Sequence, residues 1–250
     1  MPPSIKKLTI ITIVYNGEKH IRPTIESVIQ ENYPNTEYII IDGGSRDHTL
    51  SIINGYRSYP FIKVLSEKDE GISDAFNKGL KLSTGDVIGF INADDWYEPG
   101  SFAKVMQTME QEETDIVYGQ LRYHDKENRS FVREGSHKKL KYEMTVNHPT
   151  VFARRKCYQE AGMFDLRYRC AMDYDMMIRF YKKGYRFTYL PTVISNMRLD
   201  GLSDRKWMMG IKEVRDIKNA HFGKAWFHQL YFIKQSLTII ASKAKRRLFS

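Results

Sequence analysis

Val87-Ile88-Gly89-Phe90-Ile91-Asn92-Ala93-Asp94-Asp95-Trp96 carries a continuous apolar run straight into two adjacent carboxylates. An unbroken run of this kind is expected of a strand covered on both faces in a parallel sheet. The carboxylates at its end suit a hard divalent cation such as Mn²⁺ or Mg²⁺, which takes oxygen ligands and commonly shares one or two carboxylates with substrate phosphates. The competing reading is a polar loop in which Asp94 or Asp95 caps a helix opened by Pro99.

The same strand pattern recurs upstream. Leu8–Val14, Glu37–Ile41 and Ile62–Leu65 are short, largely β-branched runs, and helical spacing separates them. Ile21, Ile25, Val28 and Ile29 repeat at three and four residues, with Pro23 tolerable in a first turn. Further helices are predicted near Thr49–Tyr56 and Ser73–Leu82. Strand and helix alternating four times define a wound α/β sheet, in which ligands bind beyond the carboxyl ends of the strands.

Those ends are chemically alike. They carry Tyr15-Asn16-Gly17, Asp42-Gly43-Gly44-Ser45-Arg46-Asp47, Glu67-Lys68-Asp69-Glu70-Gly71 and Asn92-Ala93-Asp94-Asp95. Glycine permits close backbone approach to a ligand, and Asp42 can accept from a ribose hydroxyl or a base N–H. Asp-Gly-Gly-Ser is equally sound as a turn followed by a helix cap.

The second half is less regular. A strand is predicted at Ile116–Tyr118, a hairpin around Gly119–Arg133, and a helix near Arg155–Ala161 ended by Gly162. A further helix opens at Asp173 and buries Met176, Met177, Phe180 and Tyr181.

The 250 residues, 42% of them hydrophobic, support a sizeable core. The two cysteines, Cys157 and Cys170, have no metal-ligand spacing and fit a reducing compartment. The N-terminus does not read as a signal peptide, and no run of about 18 apolar residues predicts a spanning helix. The net charge of +9 is concentrated in residues 205–250, where 11 Lys/Arg face only Glu213 and Asp216, so residues 1–204 are neutral. A neutral body is not built to track a nucleic-acid backbone.

With these residues in view, the chain over roughly 6–205 resembles the inverting family-2 glycosyltransferases of the GT-A fold, of the bacterial surface-polysaccharide type. The resemblance rests on Thr12-Ile13-Val14-Tyr15-Asn16, on Asp42 to Thr49, on Asp69 to Gly79, on Asn92-Ala93-Asp94-Asp95 and on Met172-Asp173-Tyr174-Asp175, in the family's order. It implies a GT-A catalytic domain over 1–204, with a nucleotide-binding half at 1–95 and an acceptor half at 96–204. It further implies a nucleotide-sugar donor, a uridine diphosphate sugar, held by Thr12, Tyr15, Asp42, Asp69 and Asn92. Arg198 would reach phosphate oxygens through its planar fork. Asp94, with Asp95, would hold Mn²⁺ or Mg²⁺ on the donor diphosphate, and Asp173 would be the general base, with Asp175 as fallback.

Two departures stand out. Asn92 occupies the place of the family's first metal-motif Asp and brings no charge, and Met172 replaces a common Glu. The acceptor implied is a saccharide or lipid-linked saccharide in polysaccharide biosynthesis. Two other classes compete: a sugar-phosphate nucleotidyltransferase, opposed by Tyr15-Asn16-Gly17-Glu18 where a basic glycine-rich loop would stand, and a non-catalytic carbohydrate- or membrane-binding module.

Residues 205–250 alternate apolar and aromatic positions with lysines and end in Lys243-Ala244-Lys245-Arg246-Arg247. They read as amphipathic helices. Such helices either lie on an anionic membrane, making the protein peripheral on its cytoplasmic face, or pack on the catalytic domain with a solvated basic side.

Overall fold

The computed structural model describes residues 6–127, 129–199 and 206–248, with side chains to residue 240. Four parallel-type strands open the chain: β1 (Leu8–Val14), β2 (Thr36–Asp42), β3 (Ile62–Ser66) and β4 (Val87–Asn92). Between them lie α1 (Ile21–Gln30), α2 (Thr49–Asn54) and α3 (Ile72–Leu82). The chain continues with β5 (Trp96–Tyr97), α4 (Ser101–Gln111), β6 (Ile116–His124), β7 (Ser130–Arg133), β8 (Phe152–Arg154) and α5 (Arg155–Ala161). Then follow α6 (Met172–Lys182), β9 (Phe187–Arg198), α7 (Trp207–Phe222) and α8 (Trp226–Leu248).

One sheet runs in the order β3-β2-β1-β4-β8-β6-β9-β5, with β7 on the flank of β6. The four longest ladders are parallel: β1 with β2, β1 with β4, β2 with β3, and β6 with β9. Short antiparallel ladders splice β8 and β5 into the far half.

Alternation along each strand divides the core. Ile11, Ile13, Ile39 and Ile41 face one side with Phe76 of α3 and Met176, Met177 and Phe180 of α6. Ile10, Val14, Tyr38 and Ile40 face the other with Ile21 and Ile25 of α1 and Phe102 and Val105 of α4. Both faces are therefore covered, which is why the strands read as unbroken apolar runs. Gly79 of α3 is needed for close packing, since a Cβ there would run into the Ile11 side chain.

Several expectations change. Pro99 does not open a helix: β5 intervenes, and α4 starts at Ser101 after Gly100, whose φ of 78° is left-handed. Tyr181 is exposed rather than buried, because it falls on the outer face of α6. The hairpin forms between β6 and β7, but β6 extends to His124 and pairs along its length with the unanticipated β9 through a register shift near Gln120.

The tail is divided. α7 packs on α6 and places Ile217 in the same core cluster. Lys218, also buried, donates to the Tyr142 carbonyl and lies 3.2 Å over the Tyr231 ring of α8, and burial pushes its ammonium down to about 8. α8 leaves the body at Gly223 (φ 81°) and touches α7 through His228–Asn219 and Arg215–Phe232.

Candidate active site

The loops beyond β1 and β2 are tied together by backbone donors, beside those beyond β3 and β4. Asn16 N–H donates to Ser45 Oγ at 2.8 Å, Arg46 N–H to Asn16 Oδ1 at 2.9 Å, and Gly17 N–H to Thr49 Oγ1 at 2.8 Å. They enclose a cleft of 480 Å³ whose polar walls are Tyr15, Asn16, Asp69, Asn92 and Asp94, with Met197 of β9 closing one side. Such strand-end loops create ligand sites because a rigid sheet aims several chain segments at one point.

Asp42 ends β2 and is fully buried. Its two oxygens accept from Ser45 N–H at 3.2 Å, and Ser66 Oγ donates to Oδ2 at 2.6 Å. Asp42 thus holds the β2–α2 loop and stands behind the cleft lining. Asp69 is on the lining itself; its Oδ1 accepts from Gly71 N–H at 2.9 Å, and burial raises its carboxyl above the usual range. Gly43 leaves room for it, since a Cβ there would collide with Asp69 Oδ2.

Thr12 is not where the resemblance implied. It is buried inside the sheet, with Oγ1 3.0 Å from the Tyr38 hydroxyl, while its neighbours Ile13 and Val14 line the cleft. In a strand covered on both faces, one position decides which side a residue serves.

The carboxylate pair divides its surroundings. Asp94 lines the cleft. Asp95 is fully buried beneath it, with Oδ2 accepting from Asn92 Nδ2 at 3.2 Å and Oδ1 unpartnered among the described residues. Burial, then the neighbouring Asp94 charge, pushes the Asp95 carboxyl well above the usual range, against the Arg198 backbone N–H and charge. Thr24 Oγ1 clamps the turn by donating to Ala93 O at 2.9 Å and Asp95 O at 2.6 Å.

A buried carboxylate oxygen without a donor, beside a second carboxylate facing a cleft, fits a divalent cation. Among the described residues no group of three or more His, Cys, Asp or Glu forms a complete cage, so the remaining positions would fall to ligand oxygens and water. Arg198 ends β9 with its guanidinium 4.8 Å over the Trp96 ring. Its Nε has no partner among the described residues. Of the stretch Leu199 to Ser203 that the sequence singled out with it, Asp200 to Ser203 lie outside the described residues.

A second cleft of 270 Å³ adjoins the first and shares Ile72, Asn92 and Met197 with it. Its walls carry Tyr123, Arg133, His148, Arg169, Met172 and Asp173. Asp173 sits in the first turn of α6, accepts from Tyr174 N–H at 2.8 Å, and is pushed up by burial to about 6. Asp175 turns the other way. It is buried against Arg179, whose Nε donates to Oδ2 at 2.9 Å, and His221, whose Nε2 lies 2.7 Å from Oδ1. His148 stacks on Phe90 at 5.5 Å, and burial pulls its imidazole down to about 4, so it is neutral at pH 7.

Met197, Tyr123, Arg133 and Arg169 were not marked by the sequence. Tyr123 and Arg133 lie on the β6–β7 hairpin, where β6 is uniformly half-buried at its outer end and β7 is exposed throughout, so no alternation singles them out, and nothing local in the sequence points to Met197 or Arg169.

A wound sheet, with a polar double cleft at its strand ends and flanking helices, is the GT-A architecture of glycosyltransferases. The chain belongs to glycosyl transferase family 2, whose model matches residues 9–188. It is similar to the PGL/p-HBAD biosynthesis glycosyltransferase of Mycobacterium bovis, at 30% identity over 204 residues and 78% of each chain. It is also similar to Escherichia coli chondroitin synthase, at 27% identity over 230 residues, 88% of this chain and 32% of that protein.

Among solved structures, the mannosyltransferase PcManGT of Pyrobaculum calidifontis, in complex with GDP-Man and Mn²⁺, superposes with a TM-score of 0.71 at 15% identity, over 98% of this chain and 76% of that one. S. aureus TarS 1-349, in complex with UDP-GlcNAc, gives 0.69 at 16% identity, over 90% and 70%. At such identities these two likenesses show the shared fold. The chain is a glycosyltransferase, and the readings as nucleotidyltransferase or non-catalytic module give way to that assignment.

Proposed function

We propose that this glycosyltransferase moves a sugar, with inversion, from a uridine diphosphate sugar to a saccharide or lipid-linked acceptor in polysaccharide assembly, with Mn²⁺ or Mg²⁺. The observation that carries the reading is the pair of adjoining clefts, Asp94 in one and Asp173 in the other, joined at Asn92 and Met197. Support for the donor and the metal comes from the complexes named for the two solved neighbours, one with UDP-GlcNAc and one with GDP-Man and Mn²⁺.

Tyr15 and Asp69 bind the nucleoside on the cleft wall, and Asp42 acts one layer back by holding the Ser45 loop. Asn92 bonds the donor at the junction of the clefts. Asp94 and Asp95 would hold the cation, which when bound would supply Lewis-acid neutralisation of the leaving diphosphate. Arg198 adds positive charge on the phosphate side.

Asp173 takes the proton from the attacking acceptor hydroxyl. Its carboxyl, held near 6, is ionised at pH 7 yet basic enough to accept that proton. With Asp173 in the cleft that adjoins the Asp94 cleft at Asn92, an acceptor hydroxyl attacking from the face opposite the leaving group inverts the anomeric centre. We place the limit of the catalytic unit after Phe222 instead of at 204, since α7 shares its core.

No helix among the described residues is long and apolar enough to cross a membrane. We assign α8 instead to the surface of an anionic membrane on its cytoplasmic side. Trp226, Leu230, Ile233, Leu237 and Ile240 form one exposed stripe, opposite the side that contacts α7. The positive charge of residues 205–250 complements anionic headgroups; the side chains of the basic cluster at 243–247 lie outside the described residues.

The central experiment follows nucleoside diphosphate release from UDP-GlcNAc, UDP-glucose and GDP-mannose with Mn²⁺, Mg²⁺ or EDTA. Metal-dependent release that is lost in Asp94→Asn and Asp173→Asn supports the reading; metal-independent release from an Asp173→Asn variant overturns it.

A further inference from the structure

We infer that Glu213, on α7, is a positioning residue for Asp173: its carboxylate occupies the N-terminus of α6 and keeps the base from being weakened by that helix end. The inference rests on the reading of Asp173 as the general base.

The contacts are specific. Glu213 Oε1 accepts from Arg169 N–H at 3.0 Å, and Oε2 accepts from Cys170 and Ala171 N–H, both at 2.8 Å. These amides lead into and cap the start of α6. Charge-assisted bonds of this kind are strong, and they fix the backbone immediately before Asp173. α7 is itself held against α6 further along, through His221 on Asp175 and Lys182 Nζ on the His221 carbonyl at 3.0 Å.

The electrostatic consequence follows from the position. A helix N-terminus carries partial positive charge and stabilises a nearby carboxylate, which would lower the Asp173 carboxyl and make it a poorer proton acceptor. Glu213 satisfies the N-cap amide of Ala171 and the two amides before it, and its negative charge there adds to burial, the larger cause, in raising the Asp173 carboxyl.

The other groups facing Asp173 do not substitute for it. Tyr123 of β6 and neutral His148 carry no charge at pH 7, Cys170 is held protonated by burial, and Arg133 and Arg169 on the same cleft are cations, which cannot raise an acid. Among these neighbours Glu213 is the one anion, so the proton affinity that burial gives Asp173 is further tuned by a segment outside the matched family region, which ends at residue 188.

The test is a ¹³C NMR titration of full-length protein labelled at aspartate Cγ, with the Asp173 resonance assigned by its loss in Asp173→Asn. In Glu213→Gln, which keeps one acceptor oxygen and removes the charge, the Asp173 midpoint is expected to move down from about 6 while staying above the ordinary carboxylate range, because burial, the larger cause of its elevation, remains. Glu213→Asp keeps the charge and shortens the reach; its midpoint stays with the parent even if its melting temperature falls. An unchanged midpoint in folded Glu213→Gln, or a midpoint that drops in Glu213→Asp as far as in Glu213→Gln, overturns the inference. Nucleoside diphosphate release by Asp173→Asn decides the base assignment separately, because the titration needs no turnover.

Discussion

Asp173 and Asp175 stand two positions apart in the first turn of α6 and face opposite surroundings: Asp173 opens onto the second cleft, while Asp175 is enclosed by Arg179 and His221. Two steps along a helix turn a side chain by about 200°, so one turn cannot present both carboxylates to the same ligand. Asp173→Asn is therefore expected to lower kcat by about 10²–10⁴-fold while leaving nucleotide binding intact. Asp175→Asn is expected to act on stability, by about 1–3 kcal/mol, because it removes the buried carboxylate that accepts from partly buried Arg179 and pairs with His221, while Arg179 keeps the Ala161 and Gly162 carbonyls. Chemical denaturation beside steady-state kinetics separates the two.

The pH profile follows from the Asp173 carboxyl at about 6. Turnover rises with pH through that value as the base form fills, then levels. Stability moves the other way. In the unfolded chain the group titrates near 4, so between about 4 and 6 the folded state binds more protons, and stability falls as pH rises. Melting curves of Asp173→Asn should lack that decline; an identical pH dependence in parent and variant refutes the assignment.

Asp94→Asn and Asp95→Asn should differ in the metal-free protein. Both are expected to abolish the rise in melting temperature that UDP produces with Mn²⁺. Only Asp95→Asn should raise the melting temperature in EDTA, since it removes a fully buried acid that lacks a partner for one oxygen. Equal EDTA melting temperatures for Asp95→Asn and the parent would argue against a strained carboxylate there.

Gly43→Ala should weaken donor binding without unfolding the protein. The added methyl displaces Asp69 from the nucleoside wall, and loss of a hydrogen bond to a charged group is worth about 1.5–3 kcal/mol, or more than tenfold in KM for the donor. A donor KM within twofold of the parent removes Asp69 from the binding set.

The exposed stripe of α8 predicts salt-sensitive sedimentation with phosphatidylglycerol vesicles. Leu230→Glu with Leu237→Glu should abolish it and leave donor hydrolysis unchanged. Sedimentation that persists in the double variant refutes the membrane assignment.

The first half of the fold was legible because β1, β2 and β4 are nearly continuous apolar runs, β3 at the sheet edge is a short one interrupted by exposed Lys63, and the loops carry chemistry directly after them. β9 was not. Phe187–Arg198 contains Pro191, Ser195 and Asn196, and it is only partly covered except at Ile194 to Asn196, so neither alternation nor a continuous run marks it. Thr12 shows the limit within a legible strand: burial on both faces hides which side each residue serves. The roles of Met197 and Glu213 arise from contacts between segments far apart in the chain, which local pattern does not carry.

The docking of α7 bears on how relatives can be recombined. Glu213 and His221 travel with the C-terminal segment, yet both grip the helix that bears Asp173. A chimera spliced at the end of β9 would import foreign support for its own acceptor chemistry, whereas a splice at Gly223 exchanges only α8. Shuffling at that glycine should swap addresses among homologues and leave the reaction untouched.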